Sequence, residues 1–216
     1  MRYFPVFTII GLLMSCQSQG TGTDTKSKTP QVEVQDYSKL DTATVAGGCF
    51  WCVEASFDQI KGVLSAVSGY AGGKKSNATY ELVSSGKTKH AETVQVYYDP
   101  TVIDYGTILD IFFTAHDPTQ VNRQGPDVGY QYRTAIFFHN EQQREIAQAK
   151  ISELQKEYSQ PIATELNAYT EFFIAEDYHQ DYEKHHPYNP YIQNVSRPKI
   201  ERVKKRFSDR LKETVD

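Results

Sequence analysis

The chain reads as an α+β protein with one two-layer domain. Three observations carry that reading. Segments of helical and strand periodicity alternate irregularly, a strand-like run follows the preceding one with no helix between them, and 216 residues allow one core of good size. Taken in order, "DTATVAGG" is a short strand that ends in glycines, and "CFWCVEASFDQI" repeats apolar residues at helical spacing, with Phe50, Val53 and Phe57 on one side. "GVLSAVSGYAGG" is a strand leaving through a Gly-rich loop, and "AETVQVYYDP" alternates until Asp99 and Pro100 stop it. Between about Asp104 and His116, Ile108, Ile111, Phe112 and Ala115 recur at three and four, which predicts a helix. "YRTAIFFH" is an apolar strand. "NEQQREIAQAKISELQKEY" is the best helix in the chain, with Asn140 as its N-cap. "PIATELN" reads as a strand, and the rest as helical turns around prolines. The strand that follows another without an intervening helix argues against a doubly wound parallel sheet.

The N-terminus has another character. "MRYFPVFTIIGLLMSC" sets Arg2 before an apolar run from Tyr3 to Met14, then Ser15 and Cys16, the layout of a secretory signal over residues 1–15. Its "LMSC" end resembles a bacterial lipobox, which implies cleavage before Cys16, lipidation of that thiol and a membrane-anchored lipoprotein of the cell envelope. Residues 16–40, rich in Ser, Thr, Gly and Lys, hold too few large apolar side chains for a core and read as a tether. Residues 41–216 are then the working domain. A formal charge of −4 offers no broad basic face, so nucleic acid is not an expected partner.

The chemistry centres on "AGGCFWCVEASF". One CxxC supplies two of the four ligands of a structural zinc site. The others would have to come from His179, His185 and His186 in "EDYHQDYEKHHP", a setting simpler to read as a solvated helix end, so no metal is expected. Cys49 stands where a strand gives way to a helix. Its sulfur would there face unpaired backbone N–H groups and the positive end of the helix dipole, both favourable to thiolate. Cys52 lies one turn along on the same face, within reach of a disulfide. Two buried, inert cysteines fit the same spacing. So do a dithiol exchanger, a cysteine hydrolase and a sulfoxide reducer.

Further segments separate these readings. "GGCFWC", "GYAGG", "TYELVSSGKTKHAETVQVYYDP", "FFTAHDPTQVNRQGPDVGYQYRTAIFF" and "EFFIAEDYHQDY" occur in an order that resembles the peptide methionine sulfoxide reductase A family, over about residues 43 to 190. The resemblance implies a ferredoxin-like two-layer core with long active-site loops. It also implies thiol-dependent reduction of methionine S-sulfoxide, in proteins and as the free amino acid, without a cofactor. Cys49 is then the nucleophile. Glu92 is the proton donor, required because oxide is a very poor leaving group, and an apolar site would have to raise its pKa. Tyr80 and Tyr132 match family positions whose hydroxyls point at the sulfoxide oxygen, and Asp127 matches an aspartate in the polar wall. Phe50 and Trp51 match the aromatic pair that encloses the S-methyl group. His90 and His116 are assigned structural places.

The sequence departs from many relatives in its tail, "YNPYIQNVSRPKIERVKKRFSDRLKETVD", which is basic and helical in pattern and holds no cysteine. Cys52, where many relatives have glycine, is the internal thiol available to resolve a Cys49 sulfenic acid as a disulfide. A thioredoxin-like donor would return it to the dithiol, and the enzyme is expected to work as a monomer. A cysteine hydrolase using a histidine base, or a non-catalytic binder of oxidised peptides, are the rival readings.

Overall fold

The computed structural model describes residues 39–213. The signal over 1–15, Cys16 and the 16–40 segment as far as residue 38 lie outside the described residues. Within them the chain forms β1 (Asp41–Gly47), α1 (Phe50–Asp58), β2 (Val63–Ala71), α2 (Tyr80–Ser84), β3 (Ala91–Tyr98) and α3 (Tyr105–Ala115). Then come the short strands β4 (Arg123–Gln124) and β5 (Asp127–Val128), β6 (Thr134–Phe138), α4 (Glu141–Leu154), β7 (Glu165–Ala168), β8 (Phe172–Ile174), α5 (Tyr182–His185) and α6 (Arg197–Arg206).

Six strands form one sheet in the order β7-β6-β1-β3-β2-β8, with β4 and β5 as a separate hairpin. All neighbours in the large sheet are antiparallel except β6 and β7. Since β3 lies between β1 and β2, the connections β1–α1–β2 and β3–α3–β6 interleave, and α1 and α3 pack side by side against the sheet. Alternation along the strands explains the core. Val45 faces Val94 and Ile136 across the sheet, and these side chains meet Phe50, Val53 and Phe57 of α1 and Ile108, Ile111 and Phe112 of α3. On the opposite face Ala46, Ala71, Ala91, Ala135 and Phe137 form a smaller cluster with Tyr169. The same alternation puts Glu92, two residues before Val94, on the helix-covered face opposite Tyr70. A carboxylate is thereby built into the core.

The expected elements occur with shifts that have local causes. Asp104 caps α3 by accepting from the Thr107 N–H, and Asn140 caps α4 by accepting from the Gln143 N–H. The helix-forming run after Asn140 stops at Leu154 because the next residues wrap around the Gln155 amide, which donates to Tyr158 O and Gln160 O and accepts from the Ile162 N–H. Of "PIATELN", only the part from Glu165 is strand. Before it, the Ala163 N–H is spent on Pro118 O, outside the sheet. The tail read as helical turns begins with an edge strand, β8, which lies on β2 at Gly69. A Cβ at Gly69 would stand 2.3 Å from the Phe172 ring. His116 is fully inside: its Nδ1–H donates to Phe112 O at 2.8 Å and its Nε2 accepts from the Thr134 hydroxyl at 2.8 Å. His90, also buried, contacts Lys74 O through Nε2.

Candidate active site

β1 ends in Gly47 and Gly48, and Gly48 takes φ +90°, a turn that L residues resist and that delivers Cys49 to the N-cap of α1. The helix end is used differently from the sequence expectation. The Cys49 side chain accepts no capping hydrogen bond; the Phe50 N–H donates to Glu92 Oε2 at 3.1 Å, and the Cys52 N–H donates to Cys49 O at 3.2 Å. Two of the backbone donors that would have favoured a Cys49 thiolate, those of Phe50 and Cys52, are therefore engaged elsewhere. Burial pushes the Cys49 thiol well up, reinforced by Cys52 and by Glu92, and the Tyr191 hydroxyl opposes the rise. Cys52 moves the other way. The hydrogen bond from Cys49 lowers it against the effect of burial, and the Lys199 ammonium and Ser196 hydroxyl lower it further. Of the two thiols, Cys52 is therefore the more acidic.

A cavity of about 200 Å³ opens over Cys49. Phe50 and Trp51 wall it on one side, and Tyr80, Glu92, Asp127, Tyr132 and Tyr191 line the rest. The eight residues of the sequence assignment that fall within the described region thus divide in one way only: seven line this cavity, and Cys52 lies behind it at 1 % exposure. Glu92 is 2 % exposed, and burial carries its carboxyl up to about 8, against the Phe50 N–H bond that favours the anion. Since Oε2 accepts from Phe50, the proton belongs on Oε1. Burial and the nearby Glu92 raise both Tyr80 and Tyr132, so both phenols stay protonated donors.

Several wall residues are fixed by neighbouring side chains. Tyr80 begins α2, and its N–H donates to Glu176 Oε1 at 2.9 Å, while Tyr70 donates its hydroxyl to Glu176 Oε2 at 2.8 Å. Tyr191 donates to Asp127 Oδ2 at 2.6 Å. The Trp51 indole stacks on Tyr182 at 3.7 Å and 8°, and its N–H donates to His179 Nδ1 at 3.2 Å. That bond leaves the His179 proton on Nε2, and burial keeps the ring neutral. Glu54, buried on the far side of α1, accepts from the Ser68 hydroxyl at 2.7 Å and from the Asp181 N–H at 3.0 Å, fixing the segment that carries His179 and Tyr182.

Sequence reasoning missed Tyr191, Tyr182, His179 and Glu176, and it misplaced His179. That histidine is 1 % exposed and packs on Phe50 and Tyr80, whereas His185 and His186 are exposed as a solvated helix end should be. The available signal was the density of acids and aromatics in "EDYHQDY". Among the described residues the group of potential metal ligands that converges is Glu54, Asp58 and Asp181, and the Lys184 ammonium already pairs with Asp58 and Asp181 there.

A thiol at the floor of an aromatic pocket, a proton-bearing carboxyl beside it and a second thiol one helical turn behind it define a thiol-based oxidoreductase, fitted to a small group with one apolar and one oxygen-bearing side. The chain belongs to the peptide methionine sulfoxide reductase family, whose model matches residues 41–211. It is 50 % identical over 171 residues to peptide methionine sulfoxide reductase A of Haloquadratum walsbyi, covering 79 % of this chain and 98 % of that one. To the protein of the same name from Thermus thermophilus it is 51 % identical over 172 residues, 80 % of this chain and 98 % of that one. Among solved structures it is similar to the reduced form of Mxr1 from Saccharomyces cerevisiae, with TM-score 0.66 and 36 % identity over 70 % of this chain and 88 % of that one. Methionine sulfoxide reductase A of Corynebacterium diphtheriae gives 0.63 and 36 %, over 71 % and 79 %.

Proposed function

We propose that this chain reduces methionine S-sulfoxide, in proteins and as the free amino acid, to methionine, oxidising Cys49 and then Cys52. The observation that carries this is the buried, proton-bearing Glu92 beside Cys49 in a cavity with an aromatic wall. The S-methyl group packs on Phe50 and Trp51, and the sulfoxide oxygen faces Glu92, Tyr80 and Tyr132. Burying the methyl contributes about 1 kcal/mol, and an unoxidised thioether leaves the donors unpaired. Cys49 passes its proton to the Cys52 thiolate in contact with it and attacks the sulfoxide sulfur. Glu92 gives its proton to the oxygen, which ends on Cys49 as a sulfenic acid, while two electrons from the cysteine sulfur leave with methionine. Asp127, anchored by Tyr191, orients the oxygen and the substrate's main-chain groups.

Cys52 then resolves the sulfenic acid: the S–S bond forms, the S–O bond breaks, and the Cys52 proton departs with hydroxide as water. A thioredoxin-like dithiol returns the pair to the reduced state. A hydrolase would need a histidine base on Cys49, and the histidine of this site, His179, is engaged by Trp51 instead. The β6-β1-β3-β2 order with α1 and α3 packed together supports a ferredoxin-like core. The basic, apolar and small-residue order of residues 1–16 supports export and a lipid anchor at Cys16 in the cell envelope. Cys16→Ser should move the chain from the membrane to the soluble fraction, and an unchanged distribution refutes the anchor.

The decisive experiment is a single turnover on reduced protein freed of reductant, counting methionine formed and thiols left per chain. One methionine with both Cys49 and Cys52 thiols lost is expected. No methionine refutes the reductase; one methionine with the Cys52 thiol intact refutes its resolving role.

A further inference from the structure

Behind the cavity, on the side of Cys52 away from substrate, the C-terminal segment makes two contacts with the Cys52 sulfur that lie outside the substrate pocket. Ser196 Oγ lies 3.0 Å from Cys52 Sγ, and Lys199 Nζ lies 3.8 Å from the same sulfur. Ser196 is fully buried and Lys199 half-buried, and among the described residues no carboxylate pairs with Lys199. A half-buried ammonium 3.8 Å from a buried sulfur favours the charged form of that sulfur.

The backbone is shaped to make it. Residues Ile192–Ser196 form a π turn, in which the Arg197 N–H reaches back five residues to Ile192 O. Pro198 follows in the first turn of α6 and has no N–H to give, so the widened turn comes where a regular helix would lose a hydrogen bond. Ser196 and Lys199, three apart, then share the face turned to α1. The helix is held there by buried Ile200 and Val203 and by Arg202 Nε, which donates to Thr114 O at 2.7 Å.

We propose that Ser196 and Lys199 are positioning residues for the resolving step, holding Cys52 as a thiolate aimed at Cys49, in place of a cysteine-bearing tail. The proposal rests on the reading of Cys52 as the resolving thiol. In the forward direction the Cys52 thiolate attacks the Cys49 sulfenic sulfur, and hydroxide leaves with the proton that Cys52 gave up. In the reverse direction the outside thiolate attacks Cys49, the sulfur that borders the cavity, and Cys52 is expelled as a thiolate beside the ammonium. The charged or titratable groups that act on Cys52 are Cys49, Tyr191, Lys199 and, across the site, Glu92. Of these only Lys199 is cationic.

The test is rapid-quench single turnover on the whole chain with methionine sulfoxide, following methionine and the second thiol separately across pH, in the parent, Lys199→Met, Lys199→Arg and Ser196→Ala. Methionine should remain one per chain. Loss of the second thiol should slow in Lys199→Met by about three- to fourfold for each pH unit its midpoint rises, because a tenfold smaller thiolate fraction is partly offset by a more nucleophilic thiolate. The midpoint itself should rise, and Lys199→Arg should restore it, which loss of packing alone would not produce. Parental rate and midpoint in Lys199→Met overturn the proposal while leaving the resolving role intact; a parent chain that keeps its Cys52 thiol overturns both. If Lys199→Met does not fold, thiolate ultraviolet titration of Cys49→Ser with and without Ser196→Ala decides, since an unmoved Cys52 midpoint refutes the role of the contact.

Discussion

Replacing Glu92 by Gln keeps the shape and a carbonyl that can accept from the Phe50 N–H, and it removes the proton donor and the titration together. In the folded chain the carboxyl ionises at about 8 instead of the ordinary 4.5. Its folded pKa lies above its unfolded one, so its contribution to stability is fully present below about 4.5 and is lost as pH rises through about 8. The loss comes to about 3 kcal/mol at neutral pH and about 5 kcal/mol once the buried group has ionised. Glu92→Gln lacks this titration. Its melting temperature should therefore gain on the parent as pH rises from acid to alkaline, by on the order of 10 °C in total for a domain of this size. Methionine formation in a single turnover should fall about 10²- to 10⁴-fold, the range for a lost general acid, and the parent's decline in rate above pH about 8 should vanish from what remains. The assay is a paired series of thermal melts and quenched single turnovers across pH. Parental methionine formation in Glu92→Gln, or an alkaline decline that survives the substitution, refutes the assignment of the proton to this carboxyl.

Three other outcomes follow from the same geometry. Trp51→Ala removes the apolar wall that stacks on Tyr182, and the lost methyl and ring contacts should raise KM about tenfold in steady-state assays, with a smaller change in kcat. Tyr191→Phe deletes the 2.6 Å bond to Asp127, a hydrogen bond to a charged acceptor worth about 1.5–3 kcal/mol, and should slow methionine formation at least about tenfold without changing the number of thiols consumed. Burial holds His116 at about 4, below the ordinary 6.5, so its stabilising contribution is present above 6.5 and is lost as pH falls through 4. His116→Gln should flatten the acid side of the stability profile, measured by urea unfolding, by about 3 kcal/mol between those pH values.

The parts legible in the sequence share a physical property: each is settled by neighbours close along the chain. Strand alternation in "AETVQVYY", the helical repeat through Ile108 and Phe112 and the caps Asp104 and Asn140 are local signals, and the elements formed where those signals stood. β8 was not legible because its three residues become a strand only by pairing with β2 at a glycine that lets Phe172 approach. The end of α4 is set by one glutamine side chain that catches a returning loop. At the site, Cys49, Glu92 and the tyrosines were found through motif order, since no periodicity distinguishes Glu92 from an exposed carboxylate at a strand start. His179 was misread for the opposite reason. Its surroundings in sequence are charged, while in space it is enclosed by Phe50, Trp51 and Tyr80.

The distribution of charge explains why the C-terminal segment has to be part of the site. A sulfoxide is a neutral dipole, and every anion buried beside it would weaken the donors that must meet its oxygen. Glu92 and the phenols of Tyr80, Tyr132 and Tyr191 stay neutral through burial, which suits the reducing step and needs only the core. The second step has the contrary requirement, because a thiol resolves a sulfenic acid through its thiolate. A buried thiolate placed among those donors would raise Cys49 and favour protonated Glu92, as the mutual effects of Cys49, Cys52 and Glu92 indicate. A cation among the donors would offset that effect but would also draw Glu92 toward its ionised form. An ammonium behind Cys52, on the face away from the cavity, balances the thiolate and leaves the front neutral. Lys199 occupies that position, brought there by a π turn and a proline that lie nearly 150 residues from the cysteine they serve.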